Sequence, residues 1–204
     1  LPGSFLSRTL VGVADHNAIE PLVMVLAVAG LVIAFQTAER TMPVWEVVRE
    51  EVLENRELKT LEEPLKWSLL AGFLTGIYLW VWPPGVVLVG IVGVFALVKL
   101  TSDVVNDQTP EPTVFAVAIG MLVVTGMTLL DLELLSFSTN DPSLLQPVAA
   151  LSIVAAVVFF SWLARVWERT DLDTSLYPAA VAGIAAVGAG VLALLPLGLL
   201  DLIS

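Results

Sequence analysis

Six long apolar runs divide the chain, and the polar stretches between them are short enough to read as turns and loops. The runs are Ala18–Thr37, Leu65–Trp82, Val86–Leu100, Thr113–Leu132, Leu145–Val166 and Leu176–Leu200. A helix needs roughly 20 apolar residues to cross about 30 Å of hydrocarbon. Prolines 21, 64, 112, 147 and 178 fall near the starts of five runs, where a missing N–H costs no helical hydrogen bond. The pattern predicts an all-α fold: a polytopic membrane bundle of about six transmembrane helices. Two further helices are predicted outside the hydrocarbon. Residues 1–17 carry an apolar stripe of Phe5, Leu6, Leu10 and Val13 behind a candidate cap at Ser4. They read as an amphipathic interfacial segment ahead of the membrane domain, 18–204. The segment 38–64 combines eight carboxylates with Val44, Val48 and Val52 at helical spacing, and reads as an acidic, solvated cytoplasmic loop and helix.

The second and third runs need separate treatment. No residue from Trp67 to Val98 is charged, yet Pro83-Pro84-Gly85 splits the stretch into two halves of about 24 Å each. Either both halves cross, with Lys66 and Lys99 snorkelling, or they form a re-entrant hairpin. Trp80 and Trp82 favour crossing, because tryptophan rings anchor at the headgroup level.

Composition agrees with the hydropathy pattern. Of the 204 residues, 57% are hydrophobic and 14% charged. Soluble domains carry about 25% charged residues, so a soluble or disordered chain is excluded. The chain begins at Leu1 without a cationic leader, and is expected to be trimmed or partial. Cations set the orientation. Arg40, Arg49, Arg56, Lys59, Lys66, Lys99, Arg165 and Arg169 share one predicted side, and Arg8 alone lies on the other. The positive-inside rule makes the eight-cation side cytoplasmic and puts both termini outside a cell membrane. The net charge of −11 disfavours nucleic acid as a partner. An acidic, lysine-poor surface on an apolar body resembles the proteins of extreme halophiles.

Candidate chemistry is sparse. With no cysteine and one histidine, thiolate sites, iron–sulfur clusters and two-histidine metal sites are excluded, and no cofactor is expected. His16, between Asp15 and Asn17 on the outer side, reads either as a surface residue or as part of an external proton or metal site. No span carries a charge at its centre, which disfavours ion-coupled transport. Small residues are abundant instead. Gly72 and Gly76 form a GxxxG, Ala116 and Gly120 repeat the spacing, and Ala182, Ala186 and Gly190 share a face of the sixth span. Such spacing lets helices approach closely in lipid. It predicts packing within the chain or, for the sixth span, against another copy or another membrane subunit.

Catalytic candidates are confined to the cytoplasmic end. Asp103, Asp107 and Glu111 recur at four-residue intervals after the third span, and Glu168, Asp171 and Asp173 follow the fifth. Two carboxylate sets of this kind suit Mg²⁺ and a diphosphate. Asn106-Asp107 with Asp103 and Glu111 resembles the aspartate-rich motif of intramembrane prenyltransferases, which implies a lipid diphosphate substrate. The resemblance covers only this stretch, and Pro110 and Pro112 preclude one helix presenting all three acids. The sequence therefore points first to a non-enzymatic structural or accessory membrane subunit. A small-solute channel lined by Thr75, Tyr78, Thr125, Thr128, Ser152 and Ser161 is the alternative. A Mg²⁺-dependent enzyme of lipid diphosphates comes third.

Overall fold

A computed structural model describes residues 19–40, 61–133, 135–170 and 173–194, with side chains described through position 188. The segment 1–17 and most of the acidic segment 38–64 lie outside the described residues, as do Asp15, His16 and Asn17. Six α-helices are described: α1 (Ile19–Arg40), α2 (Glu62–Val81), α3 (Val86–Val105), α4 (Glu111–Leu130), α5 (Leu145–Arg169) and α6 (Tyr177–Leu194). Short 3₁₀ turns at Pro83–Gly85 and Thr174–Leu176 lead into α3 and α6.

Among the described residues the regular structure is helical, and α1, α3 with its leading turn, α4 and α5 are each long and apolar enough to cross a membrane. Helix α2 runs among them but carries Glu62, Glu63 and Lys66 in its first turns. Helices α2 and α3 have 20 residues each, about 30 Å, rather than the 24 Å expected from their apolar halves. The extra length comes from Glu62–Pro64 at the start of α2 and Thr101–Val105 at the end of α3, beyond the apolar runs. Acidic first turns at Glu20, Glu62 and Glu111 and basic last turns at Arg40 and Arg169 match the helix dipole.

Between α2 and α3 the chain reverses within three residues. The Trp82 N–H still donates to the Tyr78 carbonyl, and the Tyr78 ring lies over the turn. A Cβ at Gly85 would sit 2.5 Å from the Tyr78 ring, so only glycine fits there.

Helix α4 is the most enclosed of the four apolar helices, with half of its apolar window buried. It packs on α2 where Gly72 approaches Gly120, whereas Gly76 lies against Met127 rather than Ala116. A Cβ at Gly72 would overlap the Gly120 carbonyl oxygen, and one at Gly76 would overlap the Met127 sulfur. The main core joins Leu31, Ala34 and Ala38 of α1, Ala71 and Leu79 of α2, Val89, Val92 and Ala96 of α3, Val117 and Met121 of α4, and Ala150 and Val157 of α5. A smaller core near the charged end joins Leu100, Val104, Phe160 and Ala164 to Tyr177 and Val181 of α6. The buried Tyr177 hydroxyl donates to the Phe160 carbonyl at 2.8 Å. Beyond Val181 no described residue of α6 is buried, and Ala182 and Ala186 are exposed. The surroundings of Gly190 lie outside the described set.

Polar residues within the helices are satisfied locally. Ser68, Thr75, Thr125, Thr128 and Ser152 each donate to the carbonyl four residues earlier, at 2.7–2.9 Å. This is the usual way for a hydroxyl to sit in an apolar helix. Thr75, Thr125, Thr128 and Ser152 therefore turn back on their own helices, and the clefts with polar linings lie at the ends of the bundle.

Candidate functional site

The charged end of the bundle is organised by one lysine. Lys99, in the last turns of α3, sits one turn before Asp103, so both point to the same face. Its Nζ lies 2.5 Å from Asp103 Oδ1 and 2.9 Å from Oε1 of Glu39 at the end of α1. Asp103 is buried, and its second oxygen accepts from the Thr113 hydroxyl of α4 at 3.3 Å. The Lys99–Asp103 pair thus links α1, α3 and α4, with the lysine supplying the countercharge for a buried carboxylate.

Helix α3 stops three residues later. Asn106 caps it, Asp107 adopts a left-handed backbone with φ of 55°, and the Gln108 N–H returns to the Asp103 carbonyl. Pro110 and Pro112 then open α4. This reversal leaves a cleft of about 440 Å³ lined by Glu39, Lys99, Asp103, Asp107, Gln108, Thr109, Pro112 and Thr113. Asp103 and Asp107 share it. Glu111 does not: it faces a neighbouring cleft of about 280 Å³, where its Oε1 meets Arg165 of α5 at 2.9 Å.

The second acidic set is also divided. Glu168 lines the Glu111 cleft beside Arg165 and Arg169, and Asp171 lies outside the described residues. Asp173 caps the 3₁₀ turn before α6, where the Ser175 backbone N–H beside its carboxylate holds it below the ordinary carboxylate range. Among the described residues, no three carboxylate or histidine side chains converge as a metal site would require. The acids that meet at this end are mostly engaged with cations.

The opposite end is neutralised by hydrogen bonds instead. The Trp80 indole donates to the Met127 carbonyl at 3.1 Å, joining α2 to α4. In the loop before α5, the Ser143 hydroxyl donates to the Ser138 carbonyl at 2.8 Å, and the Gln146 amide donates to the Asp141 carbonyl at 3.1 Å. Asp131 lies beside this network.

The family described as oligosaccharyl transferase STT3, N-terminal, matches residues 1–203. The chain belongs to the STT3 family. Within it, the chain is similar to the dolichyl-monophosphooligosaccharide–protein glycotransferase AglB of Haloferax volcanii, with 47% identity over 188 residues. That match covers 92% of this chain but 17% of the relative, so the chain spans about a sixth of that enzyme's length. The fold is that of Archaeoglobus fulgidus AglB in complex with an inhibitory peptide and a dolichol-phosphate, with a TM-score of 0.77 at 20% identity. That comparison covers 98% of this chain and 23% of the other. The A. fulgidus oligosaccharyltransferase tethered to an acceptor peptide containing the NVT sequon gives a TM-score of 0.74 at 19% identity, over 95% of this chain and 22% of that one.

STT3 membership corrects the functional reading of the sequence. The non-enzymatic accessory subunit, the channel and the lipid-diphosphate enzyme all give way to a family named for oligosaccharyl transfer. The leaning away from an enzyme falls with them. The physical reason is that the lack of mid-membrane charge argues against ion-coupled transport and bears on nothing else. An enzyme whose membrane helices serve as a frame needs no such charge. The Haloferax relative agrees with the halophile resemblance of the composition. No compact motif announced the family, whose match runs along nearly the whole chain, and composition and charge spacing cannot detect a signal of that kind.

Proposed function

We propose that this chain forms part of the membrane frame of an oligosaccharyltransferase that moves an oligosaccharide from a dolichyl phosphate carrier to an acceptor asparagine. The 47% identity to the Haloferax glycotransferase carries this reading. The carrier and the acceptor are taken from the names of that relative and of the Archaeoglobus complexes.

In this reading all six described helices cross the membrane, and the lysine-pinned end faces the cytoplasm by its excess of cations. Asp103, Glu39 and Glu111 are held in ion pairs there, which suits a structural role better than a reacting one. Transfer is assigned to the opposite end, from which α1 starts; in the sequence, Asp15 and His16 stand four and three positions before Ile19.

The test is complementation. The full-length protein containing this chain is expressed in a haloarchaeal strain lacking its own glycotransferase, and a reporter glycoprotein is followed by mass. Glycan attachment is expected for the wild type and for Asp107→Asn, with at least a tenfold loss for Asp15→Ala at equal protein level. Absence of transfer by a stably expressed wild type would overturn the proposed activity. A loss in Asp107→Asn with an intact Asp15→Ala would move the reaction to the other end.

A further inference from the structure

We draw no further inference here: the strongest candidate, the apolar groove of about 590 Å³ between α3, α5 and the outer half of α6, lined in part by Gly90, Gly93, Ala156, Phe160 and Gly188, carries nothing because nothing in the structure shows what covers it.

Discussion

Lys99 and Asp103 show how one side chain decides the state of another. The Asp103 side chain is 5% exposed and the lysine 27%, so the pair is partly shielded from water. Removing one partner of a fully buried pair costs about 3–5 kcal/mol, because the remaining charge loses its compensation. The partial exposure of Lys99 reduces that figure, and Lys99→Ala is expected to cost about 2 kcal/mol. The double variant Lys99→Met with Asp103→Leu should recover most of the loss, since no orphaned charge remains. Thermal unfolding in detergent would check both, and equal losses in the single and double variants would refute this account. Asp107 provides a second case at the same end. A left-handed backbone costs most residues about 1–2 kcal/mol and is easiest for Gly, Asn and Asp. Asp107→Asn should therefore be nearly neutral, whereas Asp107→Val is expected to destabilise by about 1–2 kcal/mol in the same measurement.

At the scale of elements, the crossing of α2 and α4 includes a direct approach of backbone at Gly72 and Gly120. A methyl group at Gly72 has no room, because the obstructing atom is the Gly120 carbonyl oxygen and cannot rotate away. Gly90 of α3 meets nothing within 4 Å. Alanine at the two sites should have opposite consequences. Gly72→Ala is expected to cost about 1–3 kcal/mol by forcing the helices apart. Gly90→Ala should be neutral or stabilising by up to about 1 kcal/mol through helix propensity. Parallel melting curves would decide, and equal shifts would show that α2 and α4 tolerate wider separation. The GxxxG spacing was legible in the sequence. Its partner was not, because periodicity reveals a small-residue face without revealing what lies opposite.

Across the whole molecule, charge distribution gives the sharpest test. Eight of nine cations fall on one predicted side, and the cysteine-free sequence makes single-site labelling unambiguous. Cysteines introduced at Asn55 or Thr170 should react with impermeant thiol reagents from the cytoplasmic face only, and one at Asn140 from the external face only. Labelling of positions 55 and 140 from the same face would reject the arrangement. The acidic composition, by contrast, says little about activity. It describes the solution in which the exposed ends must stay soluble, whereas any chemistry depends on a few groups held at the correct positions.

The sequence by itself determined the membrane class, the starts of the helices and the distribution of charge. These follow from local properties: lengths of apolar runs, prolines in first turns and counts of cations. It also determined that hydroxyls such as Thr75 and Thr125 would sit in apolar helices, but not that they would turn back on their own carbonyls. Only the tertiary structure decided which groups met. Asp103 and Glu111 are eight residues apart in the sequence and read there as one carboxylate set. The chain reversal at Asn106 and Asp107 gives one to Lys99 and the other to Arg165. Helical spacing holds only while the helix continues, and a cation 54 positions from Glu111 can be brought beside it only by the packing of α4 on α5.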